Sequence, residues 1–182
     1  ALDRGSSAET NLVDEDGCHV LRVKIGKNKK ANPIVKGITT VMLPQLYIQA
    51  IKKHLSNVKF DLVLYPTPPI THAETVAYIK KRDGAKSYLL LKDIFPQNAV
   101  DIGMMSKSGA KGLLYKHFRR QEKKLYALSD RIGCMSQANV DYVLRHNPEV
   151  NPSKVEICPN SIEVQDMSIT PEQRREIREK YG

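Results

Sequence analysis

Tryptophan is absent from this 182-residue chain, and aromatic residues make up only 6% of it. Proteins that hold single-stranded nucleic acid stack its bases on rings set among basic residues. No such interleaving occurs here, so nucleic acid is not an expected partner. Cysteine is scarce as well. Cys18, Cys134 and Cys158 are odd in number, far apart and free of any Cys-x-x-Cys pair, which does not suit a disulfide framework and fits a reducing cytoplasm. No Gly-x-Gly-x-x-Gly follows a strand-like run, and Gly109-Ala110-Lys111-Gly112 lacks the spacing and the hydroxyl residue of a phosphate-cradling loop. The five histidines, His19, His54, His72, His117 and His146, stand at no metal-ligand spacing. Neither a metal nor a resident cofactor is expected.

Long uninterrupted apolar runs are missing too. The longest candidate, Ile34 to Leu55, holds Lys36, Gly37, Pro44, Gln45 and Gln49, whereas a spanning helix needs about 20 mostly apolar residues. It reads as a core-packed or interfacial helix. The first 16 residues are polar and acidic, unlike a secretory signal.

What remains is enough for one core. A 41% hydrophobic content over 182 residues supports one domain with flanking segments. The net charge of +9 fits an anionic partner, whether nucleic acid, membrane or phosphorylated substrate, without choosing among them.

Residues 1–17 carry no apolar period and read as a poorly ordered lead-in. A short alternating strand, His19 to Ile25, follows, then a basic loop over Gly26 to Lys30. Ile34, Ile38, Val41, Met42, Leu46, Ile48, Ile51 and Leu55 recur at helical spacing, with Pro44 able to kink that helix. Phe60 to Tyr65 is a compact apolar run closed by Pro66-Thr67-Pro68-Pro69, as a buried strand ending in a rigid turn would be. A helix from about Thr71 to Arg82 ends at Asp83-Gly84, and Ser87 to Leu91 is central-strand material. After a short helix and loop between Gln97 and Ser108, Leu114, Phe118, Leu125 and Leu128 mark one face of a helix. Its other face carries Lys116, Arg119, Arg120, Lys123 and Lys124. Arg131 to Met135 is a third strand, Ser136 caps a helix over Gln137 to His146, and Lys154 to Cys158 is a fourth strand. A linker over Asn160 to Ile169 precedes a helix opened by Thr170-Pro171-Glu172. This rhythm predicts an α/β domain, an open parallel sheet with helices on both faces.

Ligands of such sheets gather outside the carboxyl ends of the strands. The candidate positions are therefore Thr67 to Thr71, Lys92 to Asn98, Ser136 to Asn139, and Asn160-Ser161. A lysine and an aspartate directly after an all-leucine strand are a costly placement unless they face a cleft or find a partner. The bland alternative makes Asp93 a turn cap and Lys92 a solvated edge residue. Ser136 and Gln137 open a helix whose amides suit a phosphate, or are simply an ordinary N-cap. The basic face of Lys116, Arg119, Arg120, Lys123 and Lys124 suits an anionic membrane surface, or is merely solvated.

Four segments, in order, resemble one family. Lys92-Asp93-Ile94-Phe95-Pro96 with the following Gln97 to Gly103 resembles the basic-Asp-Leu-Trp-Pro-Glu-Ser stretch of bacterial glycosyltransferase family 4, the branch that builds lipopolysaccharide, capsule and O-antigen sugars. Thr67-Pro68-Pro69 resembles its Ser-Pro-Pro turn, and Glu122 to Asn139 its helix, strand and Ser-bearing turn. Cys158 to Glu163 resembles its Pro-Asn-Gly-Val-Asp crossover. Phe95 replaces the family's Trp, and Gln97 its acidic residue.

The resemblance implies a Rossmann-like acceptor-side domain over residues 18–160, one half of a GT-B architecture. Residues 161–182 would lead to a donor-binding domain outside this chain, and a first strand with a glycine-rich loop would precede residue 1. The whole enzyme would transfer a sugar from a nucleotide-sugar donor to a lipid-linked glycan acceptor, retaining configuration and using no metal, at the inner face of the plasma membrane. This piece alone would be inactive. Asp93 would position or polarise the acceptor hydroxyl and Lys92 would counter phosphate charge, with Thr67, Thr71, Gln97, Asn98, Ser136, Gln137 and Asn160 lining the cleft. The alternative is a non-catalytic Rossmann-like module that binds nucleic acid or protein through its basic face.

Overall fold

A computed structural model describes the backbone of residues 9–25, 33–164 and 168–181, and their side chains except at 33–41, 110 and 111. The expected loop over Gly26 to Lys30 and the side chains of Ile34, Ile38 and Val41 lie outside the described residues, as do residues 1–8.

The fold is α/β. Strands β3 (Leu62–Thr67), β4 (Lys86–Leu91), β5 (Arg131–Cys134) and β6 (Val155–Ile157) form an all-parallel Rossmann-like open sheet in that order. Ahead of it, β1 (Asn11–Glu15) and β2 (Cys18–Arg22) pair antiparallel as a separate hairpin, and α1 (Pro33–His54) runs through Pro44. Helix α2 (Ala73–Asp83) connects β3 to β4. The short α3 (Gln97–Asp101) and long α4 (Gly109–Leu128) connect β4 to β5, α5 (Gln137–His146) connects β5 to β6, and α6 (Pro171–Tyr181) follows.

Two expectations need correcting. Residues 1–17 are not simply a lead-in, because residues 11–15 form β1. The turn is Asp16-Gly17, with φ of 49° and 78°. Two consecutive positive φ values match the twist of paired strands, and an Asp-Gly pair adopts them at low cost. The sequence carried that signal in plain view.

The second correction concerns cover. Strands that follow one another in chain order, joined by crossovers of one hand, put their connecting helices on one face; covering both faces requires the order to reverse. It does not reverse among the described strands. One face presents Tyr65, Leu89, Leu91, Ile132 and Cys134, which cluster with Val76 of α2, Leu125 and Tyr126 of α4, and Val140 and Val143 of α5. On the opposite face Leu62 and Leu64 remain 54% and 59% exposed. A second cluster joins Ile51 of α1, Ile79 of α2 and Ala85 to Leu21, Leu55 and Phe60, so the hairpin and α1 pack beside α2.

Local signals explain the element ends. Gly84 closes α2 at φ 73°, its N–H donating to the Lys80 carbonyl at 2.9 Å. Thr170 and Gln173 form a reciprocal capping box at the start of α6. None of the described helices is long and apolar enough to cross a membrane.

Candidate functional site

The sheet register aligns the strand ends: Thr67 pairs with Leu91, Leu91 with Cys134, and Cys134 with Ile157. Four loops therefore leave the sheet at one edge. In the parallel geometry every strand directs its carboxyl end there, so residues distant in sequence become neighbours.

Lys92 and Asp93 are the first residues beyond β4, and both are exposed. Neither side chain has a hydrogen-bond or ion-pair partner among the described residues. Asp93 caps no turn: Pro96 occupies the N-cap position of α3, with no side-chain bond there. The cap reading of Asp93 therefore falls away, Lys92 is solvated as the bland alternative had it, and a cation and an anion stand free in solvent at the end of β4. Their backbone is held. Thr67, only 2% exposed, donates its hydroxyl to the Asp93 carbonyl at 3.3 Å and ties the loop after β3 to the loop after β4.

In the segments that follow β3 and β4, three buried side-chain atoms lack any hydrogen-bond partner among the described residues: Thr71 Oγ1, and Gln97 Oε1 and Asn98 Oδ1 of α3. Buried polar atoms are nearly always paired, and an unmet one costs about 1–3 kcal/mol. Two of them are acceptors, so hydroxyl or water donors are the groups that would relieve the cost. Gln97 spends its amide N–H on Asp101 Oδ1 at 2.6 Å.

The other predicted residues divide. Ser136 is committed to its helix: its hydroxyl donates to Asn139 Oδ1 at 2.8 Å and accepts from the Asn139 N–H at 3.3 Å. Gln137 donates along α5 to Asp141 at 2.8 Å. The ordinary N-cap therefore describes this position. Asn160, at the same sheet edge, is exposed.

Helix α4 does not present five free cations. Arg119 turns inward, with Nη1 2.6 Å from Glu122 and Nη2 donating to His146 O at 2.9 Å and Asn147 Oδ1 at 2.6 Å. Lys123 is 2.7 Å from Glu149. That leaves Lys116, Arg120 and Lys124, which recur every four residues and so form one exposed stripe without partners among the described residues. Arg119 is thus corrected from membrane-facing to structural, while Lys123 stays exposed with its charge paired to Glu149. Sequence spacing could not separate them, since Glu149 and Asn147 reach α4 only through the tertiary fold.

Sequence reasoning also missed a partly buried ion pair. Lys80 Nζ sits 2.6 Å from Asp130 Oδ2 and also donates to Ser87 Oγ at 2.9 Å and to Leu128 O at 2.7 Å. Burial works to raise the Asp130 pKa, but the Lys80 ammonium and the Ser87 donors outweigh it and bring it to about 2. This network joins α2, β4 and the approach to β5 at the amino ends of the strands, away from the loops that carry Lys92 and Asp93.

No protein-family model matches this chain, and no curated protein matches it in sequence. Among the described residues no cluster of three or more His, Cys, Asp or Glu side chains suits a metal ion.

Proposed function

We propose that this chain is the acceptor-side part of a GT-B glycosyltransferase that moves a sugar from a nucleotide-sugar donor to a lipid-linked glycan. The observation that carries the reading is the pair Lys92 and Asp93. Both are exposed and unpartnered at the end of the central region of a parallel sheet, and their loop is anchored by the buried Thr67 hydroxyl. Anchored backbone with free charged side chains is what positioning of a reacting hydroxyl requires. Asp93 would accept a hydrogen bond from the acceptor hydroxyl, and Lys92 would face the negative charge of a phosphate. The order of the four resembling segments and the unpaired stripe of Lys116, Arg120 and Lys124 support the same reading, the stripe by offering about 1 kcal/mol per cation to an anionic membrane.

The deciding experiment joins transfer and binding. In the whole enzyme, Asp93→Asn lowers transfer from a radiolabelled nucleotide sugar to an isoprenoid-diphosphate saccharide by about a hundredfold or more, with the melting temperature unchanged. The chain floats with vesicles containing anionic lipid and not with neutral ones. Salt-sensitive oligonucleotide binding without vesicle binding would support the nucleic-acid-binding alternative and overturn this reading.

A further inference from the structure

An apolar pocket of about 310 Å³, open to solvent on one side, lies beneath β3, between the hairpin, α1 and α2, walled mainly by Leu21, Ile51, Phe60, Val63, Val76 and Ile79. An apolar cavity of roughly 150 Å³ already takes up benzene, and this one is about twice that size.

Among the described residues of its wall, the two polar groups without a protein partner sit together. Tyr47 and His72 line the cavity with ring centroids 5.8 Å apart, and neither the phenol nor the imidazole hydrogen-bonds to another described group. By contrast, the other two hydroxyls of the wall are occupied. Tyr65 bonds to Ser129 at 2.6 Å and Thr75 to the Pro44 carbonyl at 3.4 Å. Burial lowers the His72 pKa and raises that of Tyr47, so at neutral pH the wall is uncharged.

The cavity also has a direction. Phe60 precedes β3 and His72 follows it, so the apolar end lies toward the start of the strand. The polar end lies toward the edge that carries Lys92 and Asp93.

The geometry points to a binding site for an aliphatic chain of about ten carbons carrying a neutral polar head, with the chain along β3 and the head at Tyr47 and His72. The length follows from volume, since a cavity of roughly 150 Å³ holds the six carbons of benzene. Unbranched acyl-type and branched prenyl-type chains share this chemistry. The site stands independently of the transferase reading, since its test needs no donor and no acceptor glycan.

The test uses 1-decanol and geraniol as probes of the two chain types. With the unaltered chain, isothermal titration gives saturable one-site binding of at least one alcohol. On addition, methyl resonances of Ile51, Val76 and Ile79 shift while that of Val143, on α5 and outside the pocket wall, stays fixed. Tyr47→Phe weakens binding by about five- to tenfold, the loss of one hydrogen bond. Val76→Phe fills the pocket and abolishes binding, with a lowered melting temperature because Val76 also packs in the main core. Relative affinity for the two alcohols assigns the chain type. Absence of saturable binding by both, or binding that leaves the Ile51, Val76 and Ile79 methyls unmoved, overturns the proposal whether or not the filled variant folds.

Discussion

Arg119 Nη1 lies 2.6 Å from Glu122 Oε2, one turn along α4, with the Glu122 carboxylate only 4% exposed as a residue. Tyr126 donates to the other oxygen of the same carboxylate at 2.7 Å, and Arg119 also reaches across to Asn147 at the end of α5. Burial raises the Glu122 pKa, and the Arg119 and Tyr126 donors pull it back. Removing one partner of such a pair strands the other. Arg119→Ala is therefore expected to cost about 3–5 kcal/mol in urea denaturation. Arg120→Ala, one residue away but exposed, is expected to change stability by no more than about 0.5 kcal/mol.

The same contrast separates stability from surface binding. Replacing Lys116, Arg120 and Lys124 together by Ala should leave the melting temperature close to that of the parent. It should also weaken binding to anionic vesicles by about 3 kcal/mol at low salt, read by flotation. Equal vesicle binding by parent and triple variant would remove the membrane role from this stripe.

Acid should reveal the Lys80–Asp130 pair. The folded carboxyl, at about 2, lies below its ordinary value of 3.8, so the pair's contribution is fully present above pH 4 and is lost as pH falls through 2. Asp130→Asn should cost about 1–2 kcal/mol at pH 7, the modest end for a charged hydrogen bond because 37% of that side chain meets water. Between pH 4 and pH 2 the gap between parent and variant should close, as followed by urea titration at each pH.

Gly133 tests the closeness of the uncovered sheet face. A Cβ placed there would lie 2.6 Å from Cys158 Cβ and 2.6 Å from the Tyr88 hydroxyl, which itself donates to Glu156 at 2.7 Å. Gly133→Ala should therefore destabilise by about 1–3 kcal/mol. Tyr88→Ala in the same chain should recover part of the loss, because it removes two of the three obstructing atoms.

Thr67→Val probes the anchored loop. The side chain keeps its shape but loses the donor to the Asp93 carbonyl, a change worth about 1 kcal/mol of stability. If the anchored loop positions a reacting hydroxyl, turnover in the whole enzyme falls by more than the stability change accounts for, with the donor's KM unchanged.

Much of the fold was legible from local pattern. Leu89, Leu90 and Leu91 after Ser87 marked a central strand, Gly84 marked the end of α2 and Ser136 the start of α5, and each lies where its backbone chemistry requires. The hairpin at Asp16-Gly17 was equally legible by turn chemistry but is masked by the polar composition around it. The one-sided cover was not legible, because it depends on strand order, and order is set by which strands pair rather than by what each strand contains.

The amino-acid sequence by itself determined that Lys92 and Asp93 follow a buried strand, that α4 is basic, and that strands and helices alternate, since periodicity and turn residues act over a few neighbours. Tertiary structure alone decided that Thr67 would hold Asp93 across 26 positions, that Arg119 and Lys123 would be taken by groups from α5 and beyond, and that a cavity would remain under β3. Those outcomes depend on distances between elements remote in sequence, which no local pattern encodes.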